Sequence, residues 1–217
     1  MRHILITSLL SFSLLLGSSS KATTEDQIDA TLLQRIRQLL GIVQPIETAG
    51  TRGRPQKVCL ISPFVSSLDQ VAIIPTDKPS IKVLEPLNEL SVETEDELTI
   101  WKIVGSSTSA IKGLISWPVD PIRPGQSLVM VVRPRGASGG EVARIKIKGA
   151  SKDVMAQTKH LLSSLDGNPK KWEKSLNEAL NSNNYALAII LINKSYHLSS
   201  TNKITLNELI AKEACQK

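Results

Sequence analysis

Five cations, Arg133, Arg135, Arg144, Lys146 and Lys148, lie on and just beyond two β-like runs at 127–133 and 142–148, joined by a segment containing Gly136, Gly139 and Gly140. In the second run Ala143, Ile145 and Ile147 alternate with the charges, as a half-buried antiparallel strand requires. Pairing the two runs concentrates positive charge on one outer face. Such a face can dock an acidic protein, an anionic envelope polymer or lipid headgroups. It can equally guard a strand edge against association with other sheets. The aromatic interleaving of a nucleic-acid platform is missing, so no nucleic-acid partner is expected.

Other chemistry is sparse. Beyond His3, the histidines are His160 and His197, neither of them near Cys, Asp or Glu at zinc-ligand spacing. No Gly-x-Ser-x-Gly elbow and no phosphate-cradling glycine loop occurs. Glu85, Glu89, Glu93, Glu95, Asp96 and Glu97 form an acidic stretch, but without the alternating Asp/Asn positions and turn glycine of a calcium loop. It reads as a solvated edge. An unrecognised hydrolase using carboxylates such as Glu89 or Asp96 is the enzymatic alternative. No catalytic, cofactor-binding or metal-binding residue is assigned, and no cofactor is expected.

Cys59 and Cys215 are the only cysteines, and a pair leaves one intramolecular disulfide. The compartment follows from the start of the chain. Met1-Arg2-His3 is basic, 4–16 is apolar, and Ser18-Ser19-Ser20-Lys21-Ala22 supplies small residues for a peptidase. This pattern predicts an export signal at 1–22, cleaved after Ala22, and a periplasmic or extracellular protein. The apolar run is shorter than the roughly 20 residues of a membrane span, so no transmembrane anchor is expected after processing. Losing Arg2 and Lys21 lowers the formal charge from +6 to +4, far from the dense cation field of a nucleic-acid binder.

The elements that must position these residues fall into blocks. Residues 23–41 predict a helix over 24–40, with Thr24 as cap and Ile28, Leu32, Leu33, Ile36, Leu39 and Leu40 at helical spacing. Pro45, Gly50, Gly53 and Pro55 mark 42–56 as a linker that sets the helix apart. Residues 57–149 hold seven short β-rich runs, at 58–62, 71–75, 80–84, 98–104, 110–117, 127–133 and 142–148. They predict an immunoglobulin-like antiparallel β-sandwich with Trp101 and Trp117 in its core. Residues 150–217 return to helical spacing. A hairpin opens at Asn168-Pro169, with Trp172, Leu176, Ala179 and Leu180 on one face and a strongly apolar helix from Tyr185, and a last helix spans 206–214. The fold class is therefore α+β. With 41% apolar but 3% aromatic residues, the core must be aliphatic.

Trp172, Ala188, Ile192 and Ser195 are spaced similarly to the positions of one tetratricopeptide repeat, although a lone helical hairpin is the favoured reading because such arrays need about three copies. The signal, Thr51-Arg52-Gly53, the Cys59 strand, Arg123-Pro124-Gly125 before a strand, and the helical tail together resemble small secreted cyanobacterial proteins of unknown function. The resemblance implies an envelope or extracellular protein with a sandwich. The expected function is a secreted, non-enzymatic protein-interaction module of the cell envelope. Binding of an anionic envelope polymer or lipid surface through the basic hairpin is the second expectation.

Overall fold

The computed structural model describes residues 28–48, 57–65, 71–106, 108–137, 140–165, 167–194 and 200–215. The expected export signal and Thr24 lie outside them, as does His197. Helix α1 (Ala30–Ile42) begins later than its spacing suggests, because Asp29 caps it, accepting the Leu32 amide at 3.3 Å. Its buried residues are Leu32, Ile36, Leu39 and Leu40.

The β region contains β1 (Ile46–Glu47), β2 (Lys57–Val58), β3 (Leu60–Ser62), β4 (Ala72–Ile74), β5 (Ile81–Glu93), β6 (Thr99–Val104), β7 (Ile111–Ile115), β8 (Ser127–Pro134) and β9 (Ala143–Gly149). β1 and β2 pair antiparallel, so the expected linker contributes a strand of its own. The other seven form one curled sheet ordered β3-β5-β8-β9-β4, with β6 and β7 also paired to β5. The expected antiparallel sandwich is corrected here: β4 runs parallel to β9, making the sheet mixed. Strand length is the second difference. β5 continues through the acidic stretch for 13 residues, serving β7 and β3 with its first half and β6 and β8 with its second. Pro86 inside it falls where the register with β7 shifts and before pairing with β8 begins at Leu87, so its missing amide interrupts no regular ladder.

Four helices follow: α2 (Lys152–Ser164), α3 (Pro169–Asn181), α4 (Tyr185–Asn193) and α5 (Ser200–Glu213). Asn168 caps α3 with Pro169 in its first turn, and Asn184 caps α4 across a turn whose Asn183 has φ 54°. The predicted hairpin is α3–α4. Around it the sequence is organised differently from its blocks, because α1 packs with α3, α4 and α5 in one aliphatic core rather than standing apart. Trp172 is fully buried at its centre, with its indole N–H donating to the Leu191 carbonyl at 2.9 Å.

A second core fills the inner face of the sheet with Val83, Leu87, Leu90, Val92, Met130, Val132, Ile145 and Ile147. Trp101 and Trp117 pack against it only partly buried. Cys59 and Cys215 form a disulfide, tying the junction of β2 and β3 to the residues after α5. No helix among the described residues is long and apolar enough to cross a membrane.

Candidate functional site

The five cations do not form a uniform positive face. Register places Arg144, Lys146 and Lys148 opposite Val131, Val129 and Ser127, and Arg133 opposite Glu89 of β5. Acidic residues of β5 therefore share the outer face with them. Glu89 bridges Lys102 of β6 at 2.8 Å and Arg133 at 3.4 Å, while Arg144 reaches Glu93 at 2.8 Å and Glu97 at 3.4 Å. The Glu89 pairs join neighbouring strands and support their register, while Arg144 reaches across β8 to Glu93 of β5. Arg135 lies beyond the strand in the turn, its amide donating to the Pro86 carbonyl at 3.0 Å. Lys146 and Lys148 are exposed on β9, which β8 pairs along its length and, among the described residues, β4 pairs only at Ile147–Gly149. Lys148 is therefore flanked on both sides, whereas Arg144 and Lys146 stand where β9 is open on one side and can guard that edge.

Glu89, the first hydrolase candidate, is thus held between two cations, and Asp96 sits at the exposed tip of the β5–β6 hairpin, well away from it. Among the described residues no three His, Cys, Asp or Glu side chains gather as metal ligands. Among the described residues Lys82 is the base whose ionisation is shifted. Alternation puts it on the face of β5 shared with Leu84, which packs against the helical core, and burial there pushes its ammonium below the ordinary 10.5.

Two surfaces that residue types did not announce are more distinctive. The first is the outer edge of the sheet. β6 is paired on one side, by β5, and all its residues are exposed except half-buried Trp101. Leu98 is 66% exposed, Val104 63% and Leu114 of β7 56%, with Ile100 and Ile103 also open. The Gly105 amide donates to the Asn88 carbonyl at 2.7 Å, so Glu89–Val104 is a pair not bonded to one another. By alternation the N–H and C=O of Lys102 and Val104 point away from β5, toward the open side. Lys102, the charge that would ordinarily protect such an edge, is drawn back onto the sheet by Glu89.

The second surface is a cleft of about 400 Å³ between α2 and the sheet. The turn after β4 supplies Thr76 and Asp77 on one side, with Ile122 and Pro124 from the segment before β8. That segment is pinned by the crossing of Arg123-Pro124-Gly125 over the end of β9. The Gly125 amide donates to the Gly149 carbonyl at 3.0 Å, with Gly125 at φ 75°. From α2 come Lys152, Met155, Ala156, Lys159 and Leu162, and Lys194 closes the end beside α4. Spacings of 3, 4 and 7 put these α2 residues on one face, so this stripe could have been read from the sequence. Its opposite wall could not.

No protein-family model, no curated protein and no solved structure matches the chain.

Proposed function

We propose that this is an exported, non-enzymatic interaction module of the cell envelope, which binds an extended segment of another envelope protein along the open edge of β6. The exposed aliphatic edge with outward-facing backbone groups carries the reading, since strand addition takes affinity from main-chain hydrogen bonds and specificity from alternate side chains. The occupant is an aliphatic segment with a basic residue at the end that meets Glu95 and Asp96, both exposed at the hairpin tip. A second copy of this chain is disfavoured as the occupant, because two chains of like net charge, +4 each after loss of residues 1–22, repel one another. Export rests on the signal-like residues 1–22 and on the disulfide, which persists in an oxidising compartment. The mixed-charge ladder on β8 and β9 favours a structural role for the basic hairpin over an anion-docking one.

The test is a photoreactive side chain introduced at Val104 and, separately, at Lys146, in protein exported by its host. A discrete adduct with another protein is expected from position 104 and none from 146. Lys102→Pro, which removes an outward-facing amide without touching the β5 ladder, should abolish that adduct. Adducts of equal yield at both positions, only with a second copy, or none at all would refute the proposal.

A further inference from the structure

We infer that the cleft beneath α2 is a binding site for a soluble amphiphilic carboxylate, a molecule with one anionic end and an aliphatic or aromatic body. The helix is the first reason. α2 buries only Thr158 fully, while Leu161 and Leu162 reach the helical core from one end. Met155 and Ala156, with Ile122 and Pro124 opposite, are left lining an open apolar trough. Methionine adapts its shape to irregular apolar partners, which suits a site that must accept a flexible body.

Charge is the second reason. Lys152, Lys159 and Lys194 converge on the trough from two parts of the chain, and no carboxylate among the described residues lies within salt-bridge distance of any of them. Asp77 is the single acid in the lining, so the cleft carries a surplus of positive charge. Several cations of the sheet and of α1 are, by contrast, matched: Arg133 and Lys102 share Glu89, Arg144 holds Glu93 and Glu97, and Arg37 meets Glu213 at 3.1 Å. At the cleft, three unpaired ammonium groups adjoin an apolar trough. Thr76, on the same wall, has a buried hydroxyl with no hydrogen-bond partner. A pocket of this size, mainly apolar with a few converging polar groups, has the dimensions and composition of a small-molecule site. The ammonium groups fix the anionic end, and the trough between Met155 and Ile122 takes the body. Neither the edge of β6 nor any partner protein enters the inference.

Decanoate, kept below its micelle-forming concentration, is the probe, titrated calorimetrically into the full exported chain. Saturable one-to-one binding is expected. Decanol, which has the chain without the charge, and acetate, which has the charge without the chain, should each bind at least about tenfold more weakly. The combined variant Lys152→Gln, Lys159→Gln and Lys194→Gln should lose about tenfold or more in decanoate affinity, with an unchanged far-ultraviolet circular dichroism spectrum. Comparing decanoate with decanol on the unaltered protein gives a result even if that variant folds poorly. Absence of saturable decanoate binding, equal affinity for decanol, or full affinity in a folded triple variant overturns the inference. So does capture by phosphatidylglycerol vesicles without binding of free decanoate, which would make the lysines a membrane contact.

Discussion

Lys82 shows how one residue takes its chemistry from what lies above it. On β5 it pairs with Ser62 of β3 and Leu114 of β7, an unremarkable strand position, yet the helical layer over Leu84 also desolvates its ammonium. Burial disfavours the charged form, so the folded-state pKa lies below the ordinary 10.5. Between these two values the unfolded chain binds more protons than the folded one, and stability rises with pH across that window. Below it the cost of the buried charge is present in full. Lys82→Met should therefore raise stability at neutral pH, by a few tenths to about 1 kcal/mol, and remove the rise on approach to pH 10.5. Urea denaturation of both proteins at several pH values checks this. A less stable variant at pH 7 would mean that the ammonium makes a favourable contact.

Elements here are defined by their crossings as much as by their sequences. β9 ends at Gly149, over which the Arg123-Pro124-Gly125 turn passes so closely that an added Cβ would lie 2.2 Å from the Arg123 carbonyl oxygen. Because the obstacle is backbone, no side-chain rotation relieves it. Gly149→Ala should force 122–125 away from β9 at a cost of about 1–3 kcal/mol, measured as a lower urea midpoint with an unchanged slope. Ile122 and Pro124 move with that segment, so decanoate affinity should fall in the same variant. Unchanged stability would show that the turn is not held against the strand.

At the scale of the molecule, the helical layer and the sheet meet where Ile61 of β3 and Leu84 of β5 join the helical core, and the disulfide links them covalently. Cys59 and Cys215 are separated by 156 positions, so the bond closes a very long loop of the unfolded chain. Loop-closure entropy assigns such a crosslink roughly 5 kcal/mol, and measured values run at about 2–5 kcal/mol. Replacing both cysteines with alanine should lower the free energy of unfolding by that amount. The helical layer is expected to loosen before the sheet, as hydrogen exchange in α5 ahead of β8 would show. Uniform exchange across both layers would mean that α1 and α3 hold α5 without the covalent bond.

Local pattern was enough to read the α3–α4 hairpin, a last helix that in the fold starts earlier, at Ser200, all seven strand positions though not the length of β5, and the alternation of β9, because periods of 3.6 and 2 are written in neighbouring residues. The cysteine pair was legible for a simpler reason, that two thiols leave one bond to make. Partners in space were not legible. Glu89 and Glu93 read as a solvated acidic stretch, and only the register of β5 against β8 and β6 brought them to Arg133, Lys102 and Arg144, replacing a basic face with a ladder of opposite charges. The parallel pairing of β4 with β9, the packing of α1 among the distant α3, α4 and α5, and the opposite wall of the α2 cleft likewise join residues tens of positions or more apart. Sequence determined which segments are helix or strand and which residues carry charge. Tertiary structure decided which charges cancel and which stay open to a ligand, because side-chain neighbours across a sheet or a cleft are set by register and packing, which no short window of sequence contains.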